Sequence, residues 1–247
     1  MVFLHGLFGQ GKNWTTVAKQ LAEQHRVDLI DLPHHGRSPW PERFDFVETA
    51  QLVVDSLPSD EQVTLVGHSL GGKVAMVVAL LHPERVERLC VADISPVQYP
   101  DGREFPGYIE AMRTMDLGQV RQRSDAERLL TPAVPSWTVR SFLLQNLRRD
   151  ASTPSGWRWQ LNLDVLDRDL SVIGGWPEGQ LAGASPYDGP VLWLAGGNSD
   201  YIQADYEPAM DRWFPNNRRV TIKDAGHWLH AERPDVFVEV LRRFLGD

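Results

Sequence analysis

Short apolar runs of strand length alternate with helix-period stretches over the first hundred residues. VFLH (2–5) reads as a strand, followed by a glycine-rich loop and a helical stretch over about 14–24. RVDLIDL (26–32) reads as a strand and DFVETAQLVVDSL (45–57) as an amphipathic helix. VTLVGH (63–68) is a strand, SLGGKVAMVVALLH (69–82) a helix and ERLCVADI (87–94) a strand. Strands separated by helix-length segments require parallel crossovers, so the pattern predicts an α/β sheet with helices on both faces. The nearly continuous apolar run TLVG suits a strand buried on both sides.

The rhythm stops after Pro96. From about 97 to 187 no convincing strand is visible, only the helical patterns IEAMRTMDL, DAERLL and WTVRSFLLQNLRR, with a Pro/Ser/Gly break at 153–156. The alternation then returns with VLWLAG (191–196), ADYEPAMDRWF (204–214), RVTIKDAG (219–226) and PDVFVEVLRRFL (234–245). The expected division is therefore a core of residues 1–96 and 187–247 carrying a helical insertion, 97–186. No internal repeat and no low-complexity segment interrupts it.

Composition narrows the function. The formal net charge of −8 argues against nucleic acid or an anionic membrane as the main partner. The single cysteine, Cys90, excludes an internal disulfide and sits in the apolar run LCVA as a buried thiol. No apolar stretch approaches the ~18 residues of a membrane span, and no signal peptide is visible, so a cytoplasmic protein is expected.

The chemistry concentrates in a few glycine-rich turns. GHSLGG (67–72) is G-x-S-x-G placed where an apolar strand gives way to a helix, the setting of a nucleophile elbow. Ser69 is the candidate nucleophile; the plainer reading is a serine helix cap. A hydroxyl needs a base, and His227 in DAGHWLHAERP follows the last expected strand, which puts serine first and histidine last in the chain. Two carboxylates compete to orient that base, Asp93 at the end of LCVAD and Asp200 in GGNSDY. His5 and His68 flank glycine turns and are read as local hydrogen-bonding rings, and His34 and His35 fall in a loop. His230 lies three residues from His227, but H-E-x-x-H is absent and no metal or cofactor is expected.

HGLFGQGKNW (5–14) supports two readings. Gly6–Lys12 fits the phosphate loop G-x-x-x-x-G-K, as does Gly67–Lys73, but Asn13 and Val74 stand where a magnesium-binding Ser or Thr belongs. The other reading is an oxyanion loop.

In their order and spacing, HGLFGQGKNW, DLPHHGRSP, GHSLGGK, VADISPVQY, GGNSDYI and AGHWLHAERPD resemble the α/β-hydrolase superfamily, most closely the YbfF/ABHD11-like esterases. The resemblance implies the α/β-hydrolase fold, a mostly parallel sheet with an inserted helical lid. It favours Asp93 over Asp200 as the acid and makes Ser199 an accessory hydrogen-bond donor. The oxyanion donors become the N–H groups of Leu7 and Leu70, with Phe8 a lesser donor whose ring faces the pocket. Lys12 is then a solvated lysine and Asn13 a helix cap. His68, Trp159 and Trp228 join Phe8 and Ser199 as accessory or substrate-binding candidates. Pro33 replaces a common arginine, so a local salt bridge is expected to be missing, and the usual N-terminal β-hairpin is not seen.

The function expected is hydrolysis of small to medium acyl esters, or thioesters, through an acyl-enzyme. The rivals are a C–C bond hydrolase of the same fold and a non-catalytic, receptor-like binding protein. A haloalkane dehalogenase is disfavoured because residue 69 is not aspartate. Lid tryptophans (Trp137, Trp157, Trp159, Trp176) and Phe142 either pack the lid or line a pocket. A small ester is the expected partner, and the oligomeric state is left open.

Overall fold

The computed structural model describes residues 1–58, 61–100 and 104–247, so positions 101–103 of the expected insertion lie outside it. In chain order the core begins with β1 (Val2–Leu4), α1 (Thr15–Leu21), β2 (Asp28–Ile30), α2 (Phe46–Ser56), β3 (Val63–His68), α3 (Leu70–Leu81) and β4 (Val86–Ala92). The segment that follows carries α4 (Phe105–Arg113), α5 (Arg123–Leu130), α6 (Trp137–Leu144), β5 (Leu147–Arg149), β6 (Trp157–Trp159), α7 (Leu163–Arg168) and α8 (Leu170–Gly174). The chain closes with β7 (Val191–Gly196), α9 (Glu207–Trp213), β8 (Asn217–Ile222), α10 (Leu229–Glu232) and α11 (Pro234–Leu245).

Six strands form one sheet in the order β2-β1-β3-β4-β7-β8, and every neighbouring pair is parallel. Period-2 alternation divides its side chains between two cores. Val2, Leu4, Leu65, Leu89, Val91, Val191 and Trp193 pack with α2, α3 and α9. Phe3, Val66, Cys90, Leu192 and Leu194 face α1 and α11, where Trp14, Phe237 and Leu241 close the layer. All six residues of β3 are buried, which explains why its run is almost wholly apolar. Cys90 is buried there, and burial pushes its thiol pKa up.

β4 and β7 are neighbours in the sheet although the whole second segment separates them in the chain. That segment corrects the sequence reading in one respect. β5 and β6 pair antiparallel, whereas no strand was expected and a helix was expected through residue 149. Strands of three residues are too short to display a period. Tertiary contacts hold them instead: Trp157 Nε1–H donates to Val120 O at 2.6 Å, and the Arg149 guanidinium lies 4.0 Å over the Trp157 ring.

The sheet's order reverses around β1, since β2 flanks it on one side and β3 on the other. Ligands of open α/β sheets gather beyond the carboxyl ends of the strands near such a reversal. The turns after β1, β3, β4, β7 and β8 all emerge at that edge.

Candidate active site

One residue, Ser69, joins the end of β3 to the start of α3, with φ 51° and ψ −119°. That backbone costs a non-glycine residue of order 1–3 kcal/mol. It is tolerated because strand and helix close tightly on either side. A Cβ at Gly67 would collide with Gly71 O, and one at Gly71 would lie 2.5 Å from Leu4 O. Phe8, His34, Asp93 and Asp224 also have positive φ, so all five such non-glycine residues among those described follow the carboxyl ends of strands of this sheet.

Asp93 follows β4, is fully buried, and receives three donors. Its Oδ1 accepts the Gly196 N–H at 2.9 Å, and its Oδ2 accepts His227 Nδ1–H at 2.8 Å together with the Ser199 hydroxyl. Asp200 is exposed, and its backbone carbonyl accepts Gln203 Nε2–H at 2.9 Å. The geometry thus brings Asp93, not Asp200, to His227. The Tyr201 ring stacks on His227 at 3.9 Å and 19°, a contact that sequence reasoning missed although GGNSDYI contains the residue. On the other side His68 stands 4.6 Å from the His227 ring and donates its Nε2–H to His227 O at 2.7 Å. His227 Nε2 and the Ser69 hydroxyl have no hydrogen-bond partner among the described residues, and both residues line one narrow cavity.

The loop after β1 is held by a pair of histidines. Phe8 N–H donates to His35 Nε2 at 3.2 Å, while Leu32 N–H donates to His5 Nε2 at 2.9 Å. The other nitrogens donate to carbonyls, His35 Nδ1–H to Pro33 O and His5 Nδ1–H to Gly6 O, each at 2.8 Å. Both rings are therefore neutral. Burial lowers His5 to about 4 and His35 well below its ordinary value. Phe8 N–H is consumed by this clasp, which removes it from the oxyanion donors. The N–H groups of Leu7 and Leu70 meet no acceptor among the described residues, and both residues border the cavity beside Ser69. Leu70 opens α3, where a helix has no internal acceptor for its first amides.

Asn146, buried just after α6, fastens the same loop from the other side. Its Nδ2–H donates to Phe8 O at 2.7 Å and its Oδ1 accepts Gln10 Nε2–H at 2.7 Å. Lys12, expected to be merely solvated, is exposed but donates to Gln145 O at 3.0 Å. Asn13 is not the helix cap: its Oδ1 reaches back to the Gln10 N–H at 2.6 Å. Asp31 ties the DLPHHGRSP turn to this loop by accepting the Gly11 N–H at 2.7 Å and the Arg37 N–H at 3.0 Å.

Two cavities meet at Ser69. The larger, about 250 Å³, is lined by Ile94, Tyr99, Leu170, Ile173 and Tyr201. The narrow one, about 20 Å³, passes Phe8, His68, Phe142, His227 and Trp228. Trp159, expected at the pocket, is buried in the core and is not among the described residues lining either cavity. Trp157 also packs in the core, Trp176 packs edge-on against Trp213 at 6.2 Å, and Trp137 is 65 % exposed.

Comparison with known proteins agrees with this architecture. Residues 1–234 match the family model described as alpha/beta hydrolase fold. The mouse protein named sn-1-specific diacylglycerol lipase ABHD11 is 37% identical over 99% of this chain and 80% of its own length. Esterase YbfF of Escherichia coli K12 is 32% identical over the full chain and 93% of its own. A solved structure titled marine microorganism esterase superposes with a TM-score of 0.92 at 34% identity, covering 98% of this chain and 94% of that one. In the described residues no helix is long and apolar enough to cross a membrane. With residues 1–234 matching the family model, and esterases and a lipase aligned along almost the whole of it, the chain belongs to the α/β-hydrolase fold family, among its carboxylic ester hydrolases.

Proposed function

We propose that the protein cleaves carboxylic esters of small to medium acyl chain through a Ser69–His227–Asp93 triad and an acyl-enzyme. The observation that carries this reading is the 2.8 Å bond from His227 Nδ1–H to Asp93, in a residue that lines the same cavity as Ser69. With Nδ1 committed to the carboxylate, Nε2 is the nitrogen left to take the serine proton. Ser69 Oγ then attacks the ester carbonyl, and the oxyanion forms against the amides of Leu7 and Leu70, each contributing roughly 3 kcal/mol to the transition state. His227 passes the proton to the departing alcohol. A water deprotonated by the same ring releases the acid and restores the serine.

Asp93 stabilises the imidazolium that forms in both steps. Ser199 holds the carboxylate in place and is a positioning residue. Residues 97–186 act as a cap over the edge of the sheet, with α8 walling the larger cavity. The larger cavity, lined mostly by apolar side chains, suits an acyl chain of small to medium length. Thioesters fit the same chemistry.

The test is labelling by a fluorophosphonate with hydrolysis of p-nitrophenyl esters. Wild type is expected to be labelled and active, and Ser69→Ala to fold, escape labelling and lose turnover by roughly a millionfold. Full activity in that variant would refute the nucleophile. Hydrolysis of a vinylogous diketone without ester turnover would favour the C–C bond hydrolase.

A further inference from the structure

Lys73 is a charged residue on a helix that is otherwise closed on every side. It stands one turn after Ser69 on α3 and is 1 % exposed, among Val74, Ala75, Met76 and Val77, all fully buried. An ammonium withdrawn from water must find acceptors. Lys73 Nζ donates to Val97 O at 3.1 Å, to Gly174 O at 2.7 Å and to Gly175 O, so its three N–H bonds meet three carbonyls. It also lies 4.7 Å over the Tyr99 ring.

Those carbonyls are not neighbours in the chain. Val97 belongs to the turn after β4, and Gly174 and Gly175 are the last residue and the cap of α8. The final carbonyls of a helix have no partner within it, and a lysine is a suitable donor for them. Lys73 thus ties the serine-bearing helix to the end of α8. Leu170, Ser171, Ile173 and Gly174 of α8 line the larger cavity, as does Lys73 itself.

We infer that Lys73 is a positioning residue that sets the α8 wall of the larger cavity and so determines which acyl lengths the enzyme prefers. This rests on the reading of Ser69 as nucleophile and of that cavity as the acyl site. With its donors satisfied by backbone, the ammonium serves as a strut between core and cap and leaves the lining apolar toward substrate. Lys73→Met keeps the length of the stem and removes all three bonds, which releases the end of α8. On that reading an acetyl group stays beside Ser69, whereas a longer chain filling the cavity runs along the α8 residues that line it. The loss therefore falls on the longer chain.

The experiment compares wild type, Lys73→Met and Lys73→Gln on p-nitrophenyl acetate and octanoate, with Ser69→Ala as control and a thermal melt of each. Lys73→Met is expected to reduce the octanoate-to-acetate ratio of kcat/KM by about tenfold, chiefly through a higher KM for octanoate. Lys73→Gln, which retains donors, is expected to fall between the two. An unchanged ratio in folded Lys73→Met overturns the inference, as does a failure of both variants to fold, which would make the lysine a residue of core stability. Turnover by Ser69→Ala would refute the underlying reading instead. A silent Ser69→Ala with an unshifted ratio refutes only the role of Lys73.

Discussion

Asp93 and Asp200 follow adjacent strands of the sheet, and only their surroundings distinguish them. A triad acid needs to be an ionised acceptor held at the imidazole, and Asp93 has three donors converging on a buried carboxylate. Asp93→Asn preserves the shape but presents an amide to a ring nitrogen that must itself donate, which favours the wrong tautomer. A fall in kcat of about 10⁴-fold is expected on p-nitrophenyl acetate. Asp200→Asn, at an exposed position, should stay within about threefold. A reversal of the two effects would exchange the carboxylates. Ser199 donates to the same Asp93 oxygen as His227 and accepts the Tyr201 N–H at 3.3 Å, so its hydroxyl links Asp93 to the residue stacked on His227.

At the scale of elements, the loop after β1 is fastened from two sides, by His35 within the core and by Asn146 from the segment between β4 and β7. Asn146→Ala leaves Phe8 O and the Gln10 side chain buried without their partner, at a cost of about 2–3 kcal/mol. Because Leu7 precedes Phe8, kcat for a short ester should fall more than KM rises, and the melting temperature should drop. A lower melting temperature with unaltered kcat would separate the fastening from the oxyanion loop. These contacts also mark where sequence legibility ended. Ser69 and His227 stand out in the sequence because a strand, a turn and a helix are contiguous there, and their glycines leave a local signature. The preference for Asp93 came from resemblance, since both acids end strands and the carboxylate's donors come from distant turns. Asn146 and Phe8 are 138 positions apart, a separation over which no local pattern operates. Lys73 does leave a signal, a lysine inside a helix apolar on all faces, but its three acceptors lie 24 to 102 positions away in the chain.

At the scale of the whole molecule, His5, His35, His68 and His230 form a store of neutral imidazoles in and around the site. Burial lowers His5 to about 4 and His230 to about 3, and it holds His35 and His68 well below their ordinary value. In the unfolded chain each ring returns to about 6.5. The unfolded state therefore binds more protons wherever the pH lies below that value, and stability falls as pH falls from about 6.5 toward 4. His5 alone accounts for about 3 kcal/mol across that window. The loss has a structural origin at His5 and His35, since each Nε2 accepts a backbone N–H and protonation would set donor against donor. Melting temperature should decline between pH 6.5 and 4.5, with about two protons taken up per molecule unfolded at pH 5 by His5 and His230 and more by His35 and His68. Calorimetry in buffers of different ionisation enthalpy measures that number. His35→Gln offers an amide oxygen to the Phe8 N–H without a titrating ring, so it should lower the uptake by about one while leaving the oxyanion loop fastened. Uptake unaltered in that variant would place the acid sensitivity elsewhere in the fold. Uptake reduced together with ester turnover would mean that the ring also fixes the loop's geometry in a way an amide cannot reproduce.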